Sequence, residues 1–89
     1  MTVCKRVHYT GRVQGVGFRY TARELAQGHA VSGLARNLSD GRVEMLVEGD
    51  EAEVERFLAA VASKMARYIQ ALNVAEEPLH GFTDFLIAQ

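Results

Sequence analysis

Apolar positions change rhythm several times along this chain, and each change marks an element. Val3, Val7 and Tyr9 fall two or four residues apart, the period of a strand with one buried face. Gly11 ends that run. From Phe18 the step becomes three and four, through Ala22, Leu25, Ala26 and His29, which predicts an amphipathic helix over 18–29. Its outer face carries Arg23, Glu24 and Gln27. Val31 to Leu38 reads as a second strand. Ser39-Asp40-Gly41 then signals a hairpin turn. Arg42 to Glu48 alternates again, with Val43, Met45 and Val47 set against Arg42, Glu44, Leu46 and Glu48; this predicts a half-buried strand in which Leu46 is the misfit. Asp50 suits a helix N-cap, and Glu51 and Glu53 suit the first turn behind it. Val54, Phe57, Leu58, Val61, Met65 and Tyr68 form that helix's apolar stripe. Ile69 to Glu76 and Phe82 to Ala88 are read as strands.

The predicted order is therefore strand, helix, strand, strand, helix, strand, with a possible short extra strand at the end. Its simplest packing is an α+β arrangement of two split β-α-β units: an antiparallel sheet with both helices on one face. The third strand fills the gap left by the first crossover, so strands one and two run parallel. Their C-terminal ends then share one edge of the sheet, about 10 Å apart. The segment from Gly11 to Arg19 leaves the first of these ends, and Asn37 sits at the second.

That segment, Gly11-Arg12-Val13-Gln14-Gly15-Val16-Gly17-Phe18-Arg19, holds the candidate chemistry. Glycines let successive amides point into one concavity. A helix start adds unpaired N–H groups and partial positive charge. The helix has no Ser, Thr, Asp or Asn to cap it, so a phosphate could satisfy its first amides. Arg19 brings a planar fork of donors suited to phosphate. A tight turn capped by Gly17, with Arg19 as a surface ion-pair former, is the competing reading. Asn37 as a functional group would hydrogen-bond a water beside the anion; otherwise it is a turn former. The loop lacks the third glycine of a dinucleotide fingerprint and the Gly-Lys-Ser/Thr end of a nucleoside triphosphate loop.

Bulk properties narrow the classes. The 89 residues make one domain, 1–89, with a net charge of −1. A phosphate-neutralising nucleic-acid binder would show a basic excess. No apolar run approaches the roughly 20 residues that span a bilayer, and no signal peptide is readable. Cys4 is the only cysteine, which fits a reducing compartment; its expected role is that of a small strand residue. His8, His29 and His80 lack metal-ligand spacing, and Asp40, Glu44 and Glu48 read as turn and solvent-face groups. No side-chain acid–base pair is evident. An enzyme here would therefore favour a reaction that is mostly positioning and charge stabilisation, such as phosphoryl transfer to water. A carboxylate leaves without a general acid, so a mixed carboxylic–phosphoric anhydride fits.

The loop, together with Gly33-Leu34-Ala35-Arg36-Asn37, Asp40-Gly41-Arg42-Val43-Glu44 and Glu48-Gly49, closely resembles the acylphosphatase family. The eighteen-residue step from Arg19 to Asn37 also matches. The resemblance implies a ferredoxin-like sandwich that hydrolyses acyl phosphates to a carboxylate and inorganic phosphate, with no metal or organic cofactor. By this resemblance Arg19 binds phosphate with the backbone of Gln14, Gly15, Val16, Gly17 and Phe18, and Asn37 orients the attacking water. It implies a small-molecule acyl phosphate as partner, no nucleic acid, no membrane, and a cytoplasmic monomer. Three departures stand out. Ala30 replaces a common glycine, Leu34 replaces a frequent aromatic, and Ser63-Lys64-Met65-Ala66-Arg67-Tyr68 stands where Gly-Pro-Pro is usual. The last predicts a longer second helix and a shifted fourth strand. Two other classes stay open: a non-catalytic anion-binding module on the same fold, and an RNA-binding domain.

Overall fold

A computed structural model describes residues 1–88. The elements are β1 (Thr2–Gly11), α1 (Phe18–Ala26), β2 (Val31–Asn37), β3 (Val43–Asp50), α2 (Glu51–Lys64), β4 (Ile69–Glu77) and β5 (Phe85–Ile87). The strands lie in one sheet, in the order β4-β1-β3-β2-β5. β3 pairs antiparallel with both β1 and β2, so β1 and β2 run parallel with their C-terminal ends at one edge, as predicted. β4 is antiparallel to β1. The short final strand is present and pairs parallel with β2, which makes the five-stranded sheet mixed beyond its antiparallel four.

The core is a single cluster under the helices. Val7 and Tyr9 from β1, Ala35 from β2, and Val43, Met45 and Val47 from β3 meet Phe18, Ala22 and Ala26 of α1 and Val54, Phe57 and Val61 of α2. These strand residues share one parity, and the helix residues recur at three and four, so two periods meet at one interface. Both helices cover the same face. This is the ferredoxin-like α+β fold.

The other face departs from expectation. Glu44, Leu46 and Glu48 are all buried, so β3 is covered on both faces rather than half-buried. Glu44 accepts from His8 Nε2 at 2.8 Å and from Arg36 Nε at 2.7 Å. Glu48 accepts the backbone N–H of His80 at 2.6 Å and of Gly81 at 3.0 Å. Neither is the solvent-face group that alternation suggested. The chain between β4 and β5 crosses this face to reach the opposite sheet edge, and a carboxylate that fastens it must be buried. Cys4 is buried beside Glu48, and burial pushes its thiol up to about 11, the property of a packing residue rather than a nucleophile.

Both helices end earlier than their apolar stripes. α1 stops at Ala26, and residues 27–29 continue with tighter i→i−3 bonds, such as Gly28 N–H to Leu25 O at 3.0 Å. His29 lies past the helix, its ring edge-on to Phe57 at 6.0 Å. α2 ends at Lys64 rather than running on, and a turn over Met65–Tyr68 does the work of the missing Gly-Pro-Pro. Met65 is buried by that turn, which is why it fits the helical stripe without extending the helix. Among the described residues no helix is long and apolar enough to cross a membrane.

Candidate active site

The loop between β1 and α1 is pinned from below by two apolar side chains. Val13 is buried and Val16 packs against the core. Phe18 seats the first turn of α1 on Tyr9, with ring centroids 4.8 Å apart. Between these anchors Gly15 and Gly17 take φ values of 77° and 78°, a left-handed conformation that costs a side-chain-bearing residue roughly 1–2 kcal/mol. A Cβ would meet nothing within 4 Å at either position, so the glycines serve backbone shape and not space.

Gly17 is the N-cap of α1, and no side chain caps the helix. The first amides of α1 thus lack a side-chain partner, as the sequence predicted. They border a concavity of about 190 Å³ lined by Val13, Gly15, Gly17, Phe18, Arg19, Tyr20 and Asn37. The predicted residues Gly15, Gly17, Phe18, Arg19 and Asn37 therefore come together, with Gln14 and Val16 between them in the chain. Asn37 is the last residue of β2 and shares the parity of Gly33 and Ala35, so it stands on the helix side of the sheet, beyond the buried Ala35.

Two contacts escaped sequence reading. The Gln14 side chain donates from Nε2 to Leu38 O at 2.8 Å and Arg42 O at 2.9 Å. The glycine loop is thereby tied to the hairpin that follows Asn37. Arg19 Nη1 donates to Ala88 O at 2.9 Å. The chain after β5 holds one corner of the guanidinium, whose other donors have no hydrogen-bond partner among the described residues. Only a sequence signal for β5 parallel to β2 could have placed Ala88 there. Tyr20 also lines the concavity and is exposed.

A larger hollow of about 550 Å³ runs between α1 and β5, past Arg23, His29 and Asp84, and contains none of the predicted site residues. The smaller concavity is the better candidate, because amides, guanidinium and carboxamide converge there. Among the described residues no three His, Cys, Asp or Glu side chains are grouped as a metal site would need.

Comparison with known proteins identifies the family. The family model Acylphosphatase matches residues 5–87. An acylphosphatase of Methanothrix thermoacetophila is 39% identical over 88 residues, covering 98% of each chain. The crystal structure of acylphosphatase from Bacillus subtilis superposes with a TM-score of 0.88 at 35% identity, covering 100% of both chains. The HypF protein of T. kodakarensis is similar over 100% of this chain but 12% of its own, at 30% identity and a TM-score of 0.84. With a family model over residues 5–87, and relatives and a solved structure that match nearly its whole length, the chain belongs to the acylphosphatase family, hydrolases of acyl phosphates.

Proposed function

We propose that the phosphoryl group of an acyl phosphate sits against the Gln14–Arg19 amides and the Arg19 fork, and that Asn37 positions the water that attacks it. The observation that carries this reading is the convergence of Gly15, Gly17, Arg19 and Asn37 on one small concavity. The water oxygen bonds to phosphorus as the bond from phosphorus to the acyl oxygen breaks. The carboxylate departs with that electron pair, and the water's proton passes to a phosphate oxygen. Charge accumulates on the equatorial oxygens, where preorganised N–H donors count most. Because the leaving group is a weak base, no side-chain acid is required. Cytoplasmic location and a monomeric state complete the proposal; the free Cys4 thiol suits a reducing compartment.

The test is hydrolysis of benzoyl phosphate in water enriched in oxygen-18, with a chelator present. The label is expected in inorganic phosphate. Label in benzoate would mean attack at the carbonyl carbon and would sink the mechanism; no hydrolysis would sink the activity. A second reading rests on the likeness to a short part of HypF: an anion-binding module within a longer protein. Phosphate binding in calorimetry without turnover would favour it.

A further inference from the structure

Glu44 and Glu48 are buried carboxylates on one face of β3, and they fasten different things. Glu48 holds backbone amides of the chain that crosses the sheet. Glu44 holds side chains of the two strands beside it. His8 of β1 and Arg36 of β2 are both its direct cross-strand partners, so the three form one row across the centre of the sheet. His8 Nε2 lies 2.8 Å from Glu44 Oε2, while Arg36 Nε donates to Oε1 at 2.7 Å. Each carboxylate oxygen thus serves a different strand. Charge-assisted bonds of this kind, partly withdrawn from water, fix geometry strongly.

The next row toward the loop is Tyr9, Val43 and Asn37. Its side chains stand on the opposite face, under the helices. Tyr9 seats Phe18, the residue before Arg19, and Asn37 lines the concavity. Both halves of the candidate site therefore rise from one row, and Glu44 ties together the row directly behind it. The two strand ends differ in support. β1 is paired on both sides, by β3 as far as Tyr9 and by β4 as far as Gly11. β5 pairs with β2 only at Gly33, Leu34 and Ala35, which leaves Arg36 and Asn37 with β3 as their one sheet neighbour among the described residues. A strand end with a single neighbour opens most readily.

We propose that Glu44 is a positioning residue for hydrolysis: through Arg36 it holds the weakly supported end of β2 against β3, and so fixes where Asn37 stands relative to the phosphate loop. This rests on the water-positioning role proposed for Asn37. The sheet separates Glu44 from the concavity, so the carboxylate touches neither phosphate nor water. Its action is on placement, to which turnover is far more sensitive than binding.

The test is steady-state hydrolysis of benzoyl phosphate by single and double variants. Glu44→Gln should lower kcat about tenfold, with the inhibition constant of inorganic phosphate near native. Arg36→Gln should do the same, and Arg36→Lys should restore part of the loss. The Arg36 side chain is 49% exposed, so these two variants carry the test even where Glu44→Gln folds poorly. Glu48→Ala, which loosens the same strand face elsewhere, should lower stability and leave kcat near native. In an Asn37→Ala background, Glu44→Gln and Arg36→Gln should cost no further kcat, although each still lowers the urea midpoint. A merely structural role predicts the reverse: the same fold-loss in kcat with or without Asn37, or parallel losses in kcat and phosphate affinity. Either result overturns the inference, as does native kcat in Arg36→Gln. Native kcat in Asn37→Ala would refute the role of Asn37 itself and the tether with it; a slow Asn37→Ala beside a native Arg36→Gln would refute the tether alone.

Discussion

The two helices begin at opposite ends of the sheet, and their starts are built on opposite principles. α2 opens with Asp50, whose carboxylate accepts from Ala52 N–H at 3.3 Å, followed by Glu51 and Glu53 in the first turn. Met1's ammonium donates to the same carboxylate at 2.9 Å. α1 opens with a left-handed glycine, no side-chain cap and no acid in its first turn. At the first end the protein satisfies its own amides and charges. At the second, the first amides of α1 have no side-chain cap and Arg19 has no carboxylate partner among the described residues. Local rules that hold at one helix start and fail at the other mark the proposed phosphate site. An anion bound there would complete the open start.

Removing Arg19 breaks the open end most severely. Arg19→Ala should lower kcat/KM for benzoyl phosphate on the order of 10²–10³-fold, the loss typical of one oriented donor to a developing oxyanion. Its thermal stability should change little, since the side chain is half-exposed and its one hydrogen-bond partner among the described residues is the carbonyl of Ala88. Near-native kcat/KM in the variant would remove Arg19 from the site. Asn37→Ala should lower kcat more than it weakens binding of inorganic phosphate, because water placement matters only for turnover. Equal losses in both would reassign Asn37 to holding the phosphate.

The satisfied regions should respond in stability rather than activity. Glu48→Ala leaves the His80 and Gly81 amides without their acceptor on a buried sheet face, a loss of roughly 1–3 kcal/mol. Urea denaturation should show it, while KM for acyl phosphate stays near native. A stable variant would mean that water replaces the carboxylate there. Gln14→Leu stands between the two classes. It cuts the tie from the loop to the hairpin, at roughly 1 kcal/mol. Because Asn37 is held by that hairpin, kcat should fall more than phosphate affinity.

The legible part of the molecule was the part governed by local rules. The switch from period two to period three at Phe18 places α1, and Asp50 with two acids behind it places α2, both at the residues where the helices begin. Strand parity and topology alone place Asn37 beside the loop, where the structure has it. What escaped depends on segments that carry no periodicity. Glu44 and Glu48 looked exposed because alternation assigns a face but cannot say what crosses it. The 78–84 segment has no apolar pattern, yet it spans the sheet and buries Glu48, while Glu44 is covered by His8 and Arg36 from the neighbouring strands. The ends of both helices were overread for a similar reason: His29, Met65 and Tyr68 continue an apolar stripe by packing from turns. Gln14 was read for its amide alone, since nothing in the sequence reports two carbonyls across a hairpin.

The smallest expected effect tests the closed end itself. The Asp50 carboxyl is held below its usual value of 3.8, first by the hydrogen bond from the Met1 ammonium, then by that charge and by the Ala52 amide. A carboxyl depressed in the folded state adds stability above its unfolded value, and that stability is lost as pH falls through the lowered one. Asp50→Ala should therefore lower the melting temperature by a few degrees at neutral pH and by progressively less below pH 3.8. Melting curves of both proteins between pH 2 and 7 would show the gap closing in acid. A gap that persists unchanged at pH 2 would mean that Asp50 acts through backbone geometry and not through its charge. Acyl phosphate hydrolysis should be unaffected throughout the range where both proteins stay folded, because the capped helix start faces away from the site. A loss of activity in Asp50→Ala would couple the two ends and dissolve the distinction between them.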